Sequence, residues 1–207
     1  LAAIDAAAEK QVVIGSSTGG PEALGQIVPA LPSSFPLPVL IVQHMPAPFT
    51  RALAESLDRK SPLKVTEGQE GDRVAPGHVY IAPGGKHLVV EQRREAVLLA
   101  TRDSTPVHNC RPSVDVLFKS VADVYAQSGV IAVVLTGMGI DGRDGARALK
   151  KGACCCIAQS ESSCVVYGMP RAVSEAGLSD LKLDVTQIGS VLTDLAEKCG
   201  RQAGVSR

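Results

Sequence analysis

Short unbroken apolar runs alternate along the chain with stretches in which apolar residues recur every three or four positions. Residues 11–14 and 38–43 are the first two runs and predict β-strands. Each is followed by a segment of helical period, 21–31 and 50–61, with Pro21 suited to a first helical turn and Leu53 and Leu57 on one face. Residues 63–66 predict a third strand. From 74 to 100 the pattern changes: runs at 79–82, 87–91 and 96–100 are split by Gly84-Gly85 and by the polar stretch 92–95. That spacing predicts antiparallel hairpins inserted in the alternation. The alternation then resumes. Ser113 opens a helix with Val114, Leu117, Val121 and Tyr125 on one face, and the unbroken run 130–135 predicts a strand buried on both sides. A helix at 142–151, a strand at 153–158, a helix at 170–175 stopping at Gly177, and a last helix opened by Thr186 complete the series. The predicted fold is α/β: a doubly wound, mostly parallel sheet with helices on both faces and an inserted antiparallel hairpin region.

Composition narrows the class. A chain of 207 residues with 45% apolar content predicts one domain able to bury its own core. The 21 basic and 21 acidic residues cancel, which argues against a nucleic-acid partner. No stretch approaches the roughly 18 apolar residues of a membrane span, so no membrane insertion is expected. Residues 1–10, with Asp5 and Glu9 among alanines, read as a linker remnant and not as a secretory signal; a domain over 11–200 and a tail at 201–207 follow. Of six cysteines, Cys154, Cys155 and Cys156 are adjacent inside an apolar run, and no CxxC pair is present. They read as small buried hydrophobes of a cytoplasmic protein, not as disulfides or metal ligands.

Ligands of doubly wound sheets sit beyond the carboxyl ends of the strands, and three predicted strand ends are unusual. Gly15-Ser16-Ser17-Thr18-Gly19 fits G-x-S-x-G, with Ser17 at the centre of a strand-to-helix turn. A phosphate-cradling turn is the alternative, although the Gly-Lys-Ser/Thr ending of a P-loop is missing. His44 follows the second strand, where a neutral imidazole could take the proton of a serine hydroxyl. Gly137-Met138-Gly139-Ile140-Asp141-Gly142 follows the most apolar strand. It admits two readings: a dinucleotide turn with Glu161 about 20 residues on, or a loop delivering Asp141 to His44 as the third member of a triad. A Ser, a His and an Asp beyond three separate strands favour the triad.

The segments Ile14-Gly15-Ser16-Ser17-Thr18-Gly19-Gly20-Pro21-Glu22-Ala23, Gln43-His44-Met45-Pro46, Tyr80-Ile81-Ala82-Pro83-Gly84 and Arg111-Pro112-Ser113-Val114-Asp115 resemble the catalytic domain of the chemotaxis protein-glutamate methylesterases, the CheB family. So do residues 135–142 and Val165-Val166-Tyr167-Gly168-Met169-Pro170-Arg171. The resemblance implies hydrolysis of glutamyl methyl esters on the helical cytoplasmic domain of methyl-accepting chemoreceptors, releasing methanol, and often deamidation of receptor glutamines. It implies Ser17 as nucleophile, His44 as general base, Asp141 as its partner, and Thr18 with the backbone N–H of Met138 as oxyanion or substrate-positioning groups. It implies neither a metal nor an organic cofactor.

Three features depart from the family. Full-length relatives carry an N-terminal receiver domain, for which no sequence is present here. Ser16 stands where the family usually has Ala. Cys110 stands in His108-Asn109-Cys110, where the family usually has Asn-x-His, so a substrate contact is expected to change; Cys110 is also an alternative nucleophile. Two competing functions remain at this level: a dinucleotide-binding domain, and a catalytically silent chemosensory adaptor.

Overall fold

The structure, a computed structural model, describes residues 11–125 and 129–203. The expected linker at 1–10 lies outside them, as does the end of the expected tail. Seven strands form one sheet: β1 (Gln11–Ser16), β2 (Val39–Gln43), β3 (Lys64–Glu67), β4 (His78–Ile81), β7 (Val130–Val134), β8 (Cys154–Gln159) and β9 (Leu181–Leu183), in the order β3-β4-β2-β1-β7-β8-β9. Every neighbouring pair in it is parallel. A separate antiparallel hairpin joins β5 (His87–Arg93) to β6 (Ala96–Arg102). The predicted hairpin region is therefore smaller than expected. The run at 79–82 belongs to β4, paired with β2 and β3, because its alternating residues bury on both faces of the main sheet.

Period-two alternation distributes the core. Val12, Ile14, Ile41, Ile131 and Cys155 face α1 (Gly20–Ile27), α2 (Phe49–Asp58) and α6 (Val185–Ala203), where Leu24, Leu57, Ile188 and Leu192 meet them. Their neighbours Val13, Leu40, Ala132 and Cys156 face the other way. They pack against α3 (Val114–Val124), α4 (Arg143–Leu149), α5 (Met169–Glu175) and the hairpin, through Phe118, Leu149, Val173 and Leu99. Successive strand residues point to opposite faces, so one continuous apolar run serves two cores. The adjacent cysteines obey the same rule and are free thiols. Burial pushes Cys154 up to about 12.

Two helix starts differ from the expected caps. Asp184, not Thr186, opens α6: its carboxylate accepts the Thr186 N–H at 3.0 Å and the Thr186 hydroxyl at 2.8 Å. Ser113 stands at the N-cap of α3, yet its hydroxyl makes no capping bond and donates instead to Asp141. The chain winds outward from β1 through β2, then returns to the other side of β1 with β7. That reversal between β1 and β7 opens a crevice at their carboxyl ends.

Candidate active site

Ser17 leaves β1 at this crevice. Its N–H donates to the Thr136 carbonyl beyond β7 at 3.0 Å, and the His44 N–H beyond β2 donates to the Ser16 carbonyl at 3.0 Å, so the turn is pinned from both sides. Gln43, buried, completes the hold: its amide donates to the Ser17 carbonyl at 2.9 Å and to the His44 carbonyl at 3.1 Å, and accepts the Ser16 hydroxyl at 2.7 Å. Ser16 is thus spent inside the turn, whereas Ser17 is half-exposed. Gly19, at φ 82°, supplies the left-handed residue that lets the chain reverse into α1. Gly137 packs against the serine. A Cβ there would lie 2.7 Å from Ser17 Cβ and would collide with Met169 Sδ.

His44 and Asp141 come together in the crevice. Nε2 of His44 donates to Oδ2 of Asp141 at 2.8 Å, with the two side chains only 10% and 2% exposed. Asp141 also accepts the backbone N–H groups of Val114 at 2.7 Å and Asp115 at 2.9 Å, the Ser113 hydroxyl at 2.9 Å, and its neighbour Gly142 N–H at 3.1 Å. A carboxylate from one loop therefore caps the helix that begins in another. Burial by itself raises the Asp141 carboxyl, but the His44 hydrogen bond and the α3 amides outweigh it and hold the group below its ordinary value.

The two residues expected to meet the oxyanion lie on the loops after β1 and β7. Thr18 is exposed and its carbonyl accepts the Thr136 hydroxyl at 2.9 Å. Met138 follows Gly137 on the rim and is 72% exposed. Beyond it a groove of about 580 Å³ is lined by Met138, Ile140, Arg143, Tyr167 and Arg171. Among the described residues the Ser17 hydroxyl takes no hydrogen bond. The nitrogen of His44 turned away from Asp141 instead meets Cys110: Sγ lies 3.4 Å from Nδ1 and 3.4 Å from the His108 carbonyl. Burial first, and the Asp141 charge second, push the Cys110 thiol up.

Residue assignment from sequence missed three supports. Gln43 was legible only as a neighbour of His44, and Ser113 only as a helix cap. Asp115 is fully buried and accepts the N–H groups of Gly142 at 3.0 Å and Gly145 at 2.6 Å, while His108 Nε2 faces its other oxygen at 3.0 Å. This last arrangement answers the dinucleotide reading of the Gly137–Gly142 turn. The amides that would meet a pyrophosphate already donate to a carboxylate, which disfavours an incoming anion.

The profile of the CheB methylesterase family matches residues 12–192. The chain belongs to that family. It is 46% identical over 187 residues to a protein-glutamate methylesterase/protein-glutamine glutaminase of Pseudomonas fluorescens, covering 90% of this chain and 49% of the relative. A Halalkalibacterium halodurans protein of the same description is 45% identical over 192 residues, covering 92% and 54%. The crystal structure of the Thermotoga maritima CheB methylesterase catalytic domain superimposes with a TM-score of 0.88 at 45% identity, covering 91% of this chain and 99% of that one. This CheB-family chain thus spans about half the length of the curated relatives it matches. None of its described helices is long and apolar enough to cross a membrane.

Proposed function

We propose that the chain is a serine esterase that removes methyl groups from glutamyl methyl esters of methyl-accepting chemoreceptors in the cytoplasm and deamidates receptor glutamines at the same site. The observation that carries this reading is the His44–Asp141 pair, 2.8 Å apart and nearly buried beside the strand end that bears Ser17. Ser17 Oγ attacks the ester carbonyl while His44 Nδ1, once turned from Cys110 to the serine, takes its proton. Asp141 keeps the ring oriented and stabilises the imidazolium that forms. Thr18 and the Met138 N–H meet the oxyanion; a donor so placed is worth about 10²–10³ in turnover. His44 returns the proton to the departing methoxide, methanol leaves, and water repeats the cycle on the acyl-enzyme. A protein substrate suits the exposed apolar rim of Met138, Ile140 and Val165. In full-length relatives the resemblance adds regulation by a receiver domain.

The Cys110–His44 contact favours one second reading, in which Cys110 is the nucleophile. A thiol held above its ordinary pKa is poorly populated as thiolate at neutral pH, so the serine is preferred. Methanol release from methylated receptor membranes decides. Ser17→Ala is expected to lower it by about 10⁴-fold or more. Full turnover in Ser17→Ala with loss in Cys110→Ser would replace the serine by the cysteine, and the absence of methanol release from the folded unsubstituted chain would leave the adaptor.

A further inference from the structure

Cys110 and His44 raise a question that the esterase does not answer. A thiol, an imidazole and a carboxylate from three different segments place one donor atom each within 4.8 Å of one another. One spacing within that cluster fits metal ligation. Zn–N bonds of about 2.0–2.1 Å and a Zn–S bond of about 2.3 Å at a tetrahedral angle hold their two donors about 3.5 Å apart. Cys110 Sγ and His44 Nδ1 lie 3.4 Å apart. The third residue completes the pattern from behind: a metal-bound imidazole generally donates its other N–H to a carboxylate, which fixes the tautomer and orients the ring. Asp141 occupies that position on Nε2 at 2.8 Å, and its remaining lone pairs are engaged by α3 and Gly142.

We propose that His44 Nδ1 and Cys110 Sγ form a binding site for a soft divalent cation of the zinc class, with Asp141 orienting the imidazole, and that occupancy switches the esterase off. Thiolate and imidazole together select zinc or cobalt over magnesium and calcium, which prefer oxygen. Cys110 is itself partly exposed, so water can reach the thiol side of the site and fill the remaining coordination positions. Binding replaces the thiol proton with the metal and releases that proton to solvent. Inhibition follows because the nitrogen that would take the Ser17 proton is then bonded to the cation. The inhibitory part rests on the proposed esterase; the binding part does not.

Cobalt(II) is the probe, because thiolate coordination gives a near-ultraviolet charge-transfer absorption that other donors lack. Titration of the metal-free chain is expected to produce this absorption with a one-to-one end point, and zinc is expected to bleach it by displacement. Both Cys110→Ser and Cys110→Ala, checked for folding by circular dichroism, are expected to lose it, and His44→Gln to weaken binding at least tenfold. In parallel, one equivalent of zinc is expected to lower methanol release at least tenfold, with chelator restoring it. No absorption at one equivalent, or an absorption that survives both Cys110 variants, would overturn the site. Cobalt binding without zinc inhibition would overturn the switch. Because Ser17→Ala is expected to bind cobalt like the unsubstituted chain, failure of the esterase reading leaves the spectroscopic result standing.

Discussion

Asp141, just before α4, sends its carboxylate to the N-terminus of α3, and Asp115, in the first turn of α3, sends its carboxylate to the N-terminus of α4; each faces a histidine, His44 at 2.8 Å and His108 at 3.0 Å. Both carboxyls are buried, yet Asp141 is held below its ordinary value and Asp115 is pushed above it. Burial is the largest influence on each and raises both. The difference lies in the donors. Asp141 collects three backbone N–H groups, the Ser113 hydroxyl and His44, whereas Asp115 has two backbone N–H groups and a histidine that is 31% exposed. Asp141 also raises Asp115 by its own charge. Two carboxyls in one crevice each make the other harder to ionise, and the one with more hydrogen-bond donors is the easier to ionise. That one faces the histidine proposed as general base.

The largest expected effect comes from Asp141→Asn, which keeps the shape and removes the charge. Turnover is expected to fall about 10⁴-fold, because a neutral amide neither holds the productive tautomer nor stabilises an imidazolium. Urea unfolding should show a loss of about 3 kcal/mol, since one of the two oxygens becomes an NH2 group facing buried donors it cannot accept from. Next, Gly137→Ala tests how closely the serine is held. The added methyl must push against Ser17, and a displacement on the order of 1 Å costs about 10² in turnover. Asp115→Asn is expected to stay within about tenfold of the parent, because an amide oxygen can still accept from Gly142 and Gly145. His108→Gln is expected to be smallest, within about threefold in turnover and about 1 kcal/mol in stability, as for a partly exposed pair.

The pH dependence of unfolding sharpens the contrast, because the two signs are opposite. Asp141, depressed in the fold, contributes stability above its unfolded value of 3.8 that is lost as pH falls through the lower folded value. Asp115, raised in the fold, destabilises progressively as pH climbs from 3.8 through its higher folded value. Unfolding free energies measured across acid pH should therefore change slope below 3.8 in Asp141→Asn and above it in Asp115→Asn. The same slope change in both variants would remove the distinction.

Much of this was legible beforehand. Strand ends at Ser17, His44 and Asp141 could be read because apolar runs stop abruptly there and glycines or prolines follow. The β4 run reads as part of a hairpin in sequence because a four-residue apolar run flanked by turns looks alike in either setting. Asp115 lies in the segment Arg111-Pro112-Ser113-Val114-Asp115, but nothing along the chain says that its carboxylate reaches the next helix. Cys110 stood out as a departure from the family, while its contact with His44 depends on how the loop before α3 folds over the crevice.

Local physics thus settled the elements and the three chemical strand ends: side-chain period, turn-forming glycines and proline are properties of neighbouring residues, which the sequence records directly. Strand order, the capping of α3 by Asp141, the opposite pKa shifts of the two aspartates and the pairing of Cys110 with His44 were decided only by the tertiary structure. Each of these depends on groups brought together from distant segments, as in the 2.7 Å bond from the Val114 N–H to Asp141. Burial and the donors around a group shift its pKa, and both come into being only when the chain has folded.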